Sequence, residues 1–193
     1  GAAFTLGVQW HPEAFWRGFP PQGSPTEPLL YAWLMVLLQV GPAFLVQAAN
    51  FSQVKTSLQM LGGAGASWVA TQSPWTFAAW VSLPLVVFYP VGFYLGAGIT
   101  HLGCKLWGAG SKGFNATARV MGYSQGPVLL GWVPLVGMIA FIYVAVLQIL
   151  GIARVHEVSG GKATLGVLTI PVLLTCCCGM GLGMAMAMVF RMN

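Results

Sequence analysis

The sequence predicts an all-α polytopic membrane protein with five transmembrane helices and an N-terminal interfacial amphipathic helix. Three observations carry this. Of the 193 residues, 57% are hydrophobic and only 6% charged, whereas a soluble domain carries roughly a quarter charged residues. Long apolar stretches recur, each with the roughly 20 helical residues needed to cross a hydrocarbon core of about 30 Å. The eight basic residues also divide six against two between the two sides that five crossings define.

Residues 1–27 form a cytoplasmic N-terminal segment. Its stretch "VQWHPEAFWRGF" is too short and too polar to span. Pro12 suits a first helical position and Glu13 a first turn. Trp10, Phe15, Trp16 and Phe19 favour the headgroup region, which predicts an interfacial helix; an extended aromatic segment packed on the protein is the alternative. The membrane domain is 28–193. Its first span, 28–49, starts after Glu27 and exits at "NFSQVKTS". The second, 74–107, is longer than one crossing needs, so tilt, kinking at Pro84 and Pro90, or an emerging tail is expected. After the connector "GAGSKG" comes an apolar run long enough for two crossings. It divides at Gly131, Pro134 and Gly137 into a more polar third span, 114–132, and a fourth, 134–152. "ARVHEVSGGK" is a polar loop, and 163–190 is the fifth span.

Basic residues favour the cytoplasmic side. Five spans place Arg17, Lys105, Lys112, Arg119, Arg154 and Lys162 together, against Lys55 and Arg191, so the N-terminus is expected in the cytoplasm and the C-terminus opposite. The first 25 residues show no basic start, short apolar core and cleavage site, so a retained signal peptide is not expected.

Composition also narrows the chemistry. The only acids are Glu13, Glu27 and Glu157, which leaves little material for carboxylate-pair catalysis. No Ser/His/Asp set, phosphate loop or nucleotide fingerprint is present, and no basic cluster points to nucleic acid. The expectation is no enzyme, no cofactor and no nucleic-acid partner.

The candidate site is Gly122, Tyr123, Ser124, Gln125, Gly126 and Pro127 in the third span. Gly122 and Gly126 lie four apart and offer one smooth helical face, across which Ser124 and Gln125 can hydrogen-bond. Pro127 removes one intrahelical bond and frees the carbonyl near Tyr123. A packing seam explains these residues without a ligand; a lipid, small-molecule or ion site is the alternative. Gly92/Gly96 and Gly179/Gly183 offer similar close-contact faces. Arg119, near a span boundary, either snorkels to the headgroups or turns inward to Glu157. Arg154, His156, Glu157 and Lys162 make up the cytoplasmic loop.

His101 and Cys104 share a helical face, but a closed zinc site needs four ligands. Consecutive residues Cys176, Cys177 and Cys178 point about 100° apart and cannot converge on one ion. No metal site is expected. The cysteine triplet reads as soft packing or an acylation site, and the methionines of "GMGLGMAMAMVF" as gap filling rather than a copper path.

Three features in order, the aromatic N-terminal segment, "FNATARVMGYSQGPVLLGWVP" and "LQILGIARVHEVSGGKATLGVLTIP", resemble the Yip domain family of five-span proteins named for interacting with Ypt/Rab GTPases. The most specific parts are Gly122-Tyr123-Ser124 with Pro127, and the run from Gly151 ending in Gly161-Lys162-Ala163. The resemblance covers about residues 8 to 190 and is greatest to the prokaryotic branch. It implies five helices, a cytoplasmic N-terminus and a prokaryotic inner-membrane location. The acidic tyrosine-glycine-proline motif of eukaryotic members has no counterpart here, so binding of Rab-type GTPases is not carried over. The expected role is a non-catalytic membrane scaffold or assembly subunit. Its partners are membrane lipids and other integral membrane proteins or a homo-oligomer. The alternative is a small transporter, channel or lipid-handling protein using the polar third span.

Overall fold

The computed structural model describes residues 11–20, 22–62 and 64–173. In chain order it holds α1 (Pro12–Arg17), α2 (Thr26–Ala49), α3 (Phe51–Leu61), α4 (Ala64–Ala70), α5 (Pro74–Leu106) and α6 (Phe114–Tyr123). A 3-10 helix (Gly126–Leu130), α7 (Val136–Val155) and α8 (Gly160–Leu173) follow. No strand occurs among the described residues. The chain is an all-α polytopic membrane protein, and α2, α5 and α7 are each long and apolar enough to cross a bilayer.

Paired contacts give the course of the chain. Trp33 reaches Val86 and Phe44 stacks on Trp75, so α2 and α5 are antiparallel. Gly122 meets Pro28, Val128 packs with Val36, and Gly131 meets Gln39; α6 and its 3-10 extension therefore run parallel to α2. The turn after Leu130 reverses the chain into α7.

The 33 residues of α5 make a rod of about 50 Å. Ser73 starts it with a capping box: its hydroxyl accepts from the Thr76 N–H at 3.1 Å, and the Thr76 hydroxyl accepts from the Ser73 N–H at 2.9 Å. Pro84 and Pro90 lie within the helix. Pro90 has no N–H for the Val86 carbonyl. The Trp33 indole N–H of α2 donates to that oxygen at 3.0 Å. A polar group orphaned in an apolar setting is thus met by the neighbouring helix and ties α2 to α5.

Several expectations change in detail. The exit after the first span is not a simple loop but two helices, α3 and α4. Phe51, Val54 and Leu58 recur at helical spacing and make 51–61 amphipathic, a period hidden by the polar residues between them. Phe51 and Trp68 both pack on Phe77, which folds α3 and α4 onto the start of α5. The third stretch is not one continuous helix. Its α-helical part has ten residues, about 15 Å. Bonding then tightens to i→i+3, with Gln125 N–H to Gly122 O, Val128 N–H to Gln125 O and Gly131 N–H to Val128 O. Pro127, which cannot donate, sits inside this tighter turn and accounts for the change. The fourth stretch continues to Val155, so the polar loop is shorter than expected, and α8 begins at Gly160. The remainder of the expected fifth span, with Cys176, Cys177, Cys178, Gly179 and Gly183, lies outside the described residues.

The N-terminal helix forms, but its aromatic face points into the protein. Trp16 is 1% exposed and Phe19 6%. Trp10 lies outside the described residues.

Replacing Ser73 by alanine removes the hydroxyl that accepts from the Thr76 N–H and leaves the backbone donation to Thr76 Oγ1 in place; a lost N-cap side chain typically costs about 1 kcal/mol. Reversible unfolding in mixed micelles should show that loss for Ser73→Ala and almost none for Ser57→Ala on exposed α3.

Candidate functional site

Seven of the ten residues of α6 are buried: Ala116, Thr117, Ala118, Arg119, Val120, Gly122 and Tyr123. Small side chains make this possible. A Cβ at Gly122 would lie 2.5 Å from Pro28 Cβ and 2.6 Å from its carbonyl oxygen. Any larger residue therefore forces α2 off α6. On the opposite side, a Cβ at Gly151 of α7 would lie 2.5 Å from Val120 Cγ1 and 3.0 Å from Trp16 Cε2. Ala118 packs with Ala97 and Phe93 of α5.

The polar residues of the seam are largely enclosed. Ser124 is fully buried and donates its hydroxyl to the Val120 carbonyl at 2.7 Å. The Tyr123 hydroxyl hydrogen-bonds with the Glu27 carboxylate at the start of α2, while its ring packs edge-on to Phe15 and Phe19 and beside Tyr31. Gly126 and Pro127 are buried and Gln125 is half-buried. Two grooves of about 370 Å³ lie elsewhere, one on the outer face of α5 around Trp80 and Pro84, the other on α3.

Arg119 follows neither expected course. It is buried rather than snorkelling, and Glu157 pairs instead with Lys112 at 3.0 Å. The guanidinium lies 4.9 Å from the centre of the Phe19 ring and donates to the Ser24 carbonyl at 3.2 Å. Its plane rests on Gly23, whose φ of 139° suits glycine, and a side chain there would strike Nη1. Such a stacked cation is worth about 0.5 to 2 kcal/mol. The seam thus holds the protein's own N-terminal segment: Trp16 against Gly151, Phe19 between Arg119 and Tyr123. Burial of an aromatic ring of this size contributes about 4 to 6 kcal/mol relative to water.

The loop residues separate. Arg154 is exposed on α7 and reaches Glu13 of α1 at 3.5 Å, which Arg17 also pairs at 3.1 Å. Lys162 is exposed. His156 is 1% exposed, and it joins two residues that the sequence pattern did not connect to it. The Lys112 N–H donates to His156 Nδ1 at 3.1 Å, and Thr117 Oγ1 lies 3.1 Å from His156 Nε2 and 3.0 Å from His101 Nδ1. Burial first, then His101 and Lys112, lower the His156 pKa to about 4; the ring is neutral at pH 7. No cluster of three or more His, Cys, Asp or Glu suited to a metal occurs among the described residues.

Of the expected close-contact glycines, Gly122 is at a true contact, Gly96 makes an ordinary one with Met121, and Gly92 faces open space. Sequence reasoning missed Gly151, and also Gly103 with Gly166, where α5 and α8 touch backbone to backbone. A glycine between bulky apolar residues was the available signal for Gly151 and Gly166, whereas Gly103 lies between Leu102 and the small Cys104.

Fold and seam together define an integral membrane protein whose short central helix is packed on every side by its own chain. A model of the Yip1 domain matches residues 6–183, nearly the whole sequence, and the chain belongs to the Yip1 domain family. No curated protein and no solved structure matches it.

Gly122→Leu should prevent stable folding, because the added side chain must displace the Pro28 backbone. Ser124→Ala should cost only about 0.6 to 2 kcal/mol, the usual worth of a hydrogen bond within a membrane. Thermal melting of the two variants in the same detergent checks the contrast.

Proposed function

We propose that this Yip1 domain protein is a non-catalytic membrane scaffold or assembly subunit that packs against other integral membrane proteins or a second copy of itself. One observation carries the reading: the polar seam is filled by the chain's own N-terminal segment and by Pro28, while the outer faces of α2 and α5 carry exposed Leu34, Leu38, Leu83, Val87 and Leu95. Apolar side chains directed outward contact lipid or other transmembrane helices. Glu13, Glu27 and Glu157 are all exposed and separately engaged, which supports a role without carboxylate catalysis.

Photo-crosslinking side chains at positions 83 and 95, in the full chain in its native membrane, should give stoichiometric crosslinks to a defined membrane protein or to a second copy. A crosslinker at position 123 should react only within the chain. Crosslinks to lipid alone from the outer positions, with solute flux in proteoliposomes that Ser124→Ala abolishes, would establish transport instead.

The orientation belongs to the same proposal. Arg17, Lys112, Arg119 and Arg154 gather at one end through their contacts with Glu13, Glu157 and Ser24. Lys55 is at the other, donating to the Ala70 carbonyl just before α5. This supports a cytoplasmic N-terminus, five crossings and, with the family resemblance, a prokaryotic inner membrane. An impermeant thiol reagent outside intact cells should label Ser57→Cys and spare Ser159→Cys; the reverse pattern would invert the topology.

A further inference from the structure

The three side chains His101, Thr117 and His156 come from α5, α6 and just beyond α7, and together they fasten one end of the bundle. Their hydrogen bonds have a definite direction. The Lys112 N–H donates to His156 Nδ1, so that nitrogen carries no proton, and a neutral ring must carry its proton on Nε2. His156 Nε2–H therefore donates to Thr117 Oγ1, leaving the threonine proton for His101 Nδ1. Ser111 adds a bond to the His156 carbonyl at 2.9 Å, so the connector between α5 and α6 is held to the end of α7 at two points. Both ring nitrogens of His156 and Nδ1 of His101 are thus committed to neutral partners.

We infer that the His101–Thr117–His156 chain is a proton-sensitive latch, closed at neutral pH, whose protonation at His156 releases the 107–113 connector from the end of α7. A proton added at His156 Nδ1 would face the Lys112 N–H, donor against donor, and the contact must open. The charged surroundings offer the cation no relief. Lys105 and His101 lie on α5, together with the buried thiol of Cys104. Lys112 is on the connector and is paired with Glu157, Arg119 of α6 is turned to Phe19, and Arg154 of α7 is paired with Glu13. Lys162 of α8 is exposed. No carboxylate forms an ion pair with either ring among the described residues.

The sign follows from linkage. The closed form holds the His156 pKa at about 4, while a released histidine titrates near 6.5. Between those values the open form takes up a proton that the closed form refuses. The latch is thus fully closed above about pH 6.5 and weakens by about tenfold per pH unit below it, until the closed form itself titrates. This latch does not depend on the scaffold reading.

Amide hydrogen exchange on the full chain in lipid nanodiscs tests it. Corrected for intrinsic exchange at each pH, protection of the Lys112 amide should fall about tenfold per unit below roughly pH 6, while amides of α5 around Val87 keep theirs. In His156→Asn the side-chain oxygen stands in for Nδ1 and cannot titrate, so the fall should vanish. A flat wild-type profile between pH 7 and 5, or an equal fall in His156→Asn, would overturn the latch. Should that variant not fold, nitrogen NMR of wild-type His156 decides: the change from the Nε2–H form to imidazolium must accompany the loss of protection. Protection lost while His156 stays neutral would overturn the proposal equally.

Discussion

The enclosure of α6 is the constraint on which the rest of the structure depends. A ten-residue helix has little stability of its own, since isolated helices below about 12 to 15 residues are marginal. It persists because α1, α2, α5 and α7 contact it from different sides, and each contact needs a particular side-chain volume. Glycine at 122 admits Pro28, glycine at 151 admits Val120 and Trp16, and the alanine pair 97/118 brings α5 close. Without a strong hydrophobic drive between helices in lipid, such close approach is what remains to hold a bundle together.

Polar groups follow the same economy of position. Two of those among the apolar helices are met locally or by the adjoining helix, Ser124 by Val120 and the Val86 carbonyl by Trp33, whereas the Ser82 hydroxyl of α5 is buried without a partner among the described residues. Those at the basic end are met by segments that return to it: Arg119 by Phe19 and Ser24, His156 by the connector. The exposed pairs of Glu13 and Lys112 lie outermost, where solvent screening leaves salt bridges worth little. Burial, rather than surface charge, therefore sets the seating of the N-terminal segment.

The fold class was legible because it needs only composition and length. The bounds of α5 were readable from Pro74 at one end and the glycine-rich connector at the other, and α7 from its unbroken apolar run. The break in α6 was half legible: Pro127 announced a lost hydrogen bond, but not that the chain would answer by tightening into 3-10 bonding. The helices after Asn50 were missed because a polar exit and a half-buried amphipathic helix share a composition and differ only in period. Within the seam, residue type was sufficient to mark Gly122 as a close-contact position, but Ser124, expected to bond across that contact, instead donates back to Val120 of its own helix. Residue types could not indicate that the occupant was the chain's own aromatic segment, nor bring Thr117 between His101 and His156, since both depend on contacts between distant parts of the sequence.

The seating of Trp16 against Gly151 carries a consequence for biogenesis. The two residues are separated by 135 positions in the chain, so translation at about 5 to 20 residues per second leaves the tryptophan without its seat for roughly 7 to 27 s. During that interval α2 and α5 are already made, while Phe15, Trp16 and Phe19 remain available at the membrane surface to any apolar groove nearby. The nascent chain thus presents an aromatic cluster for as long as the ribosome takes to complete the bundle, and withdraws it when the turn bearing Gly151 arrives. An insertase or chaperone that engages this cluster would be released by the growth of the chain itself, without a separate signal.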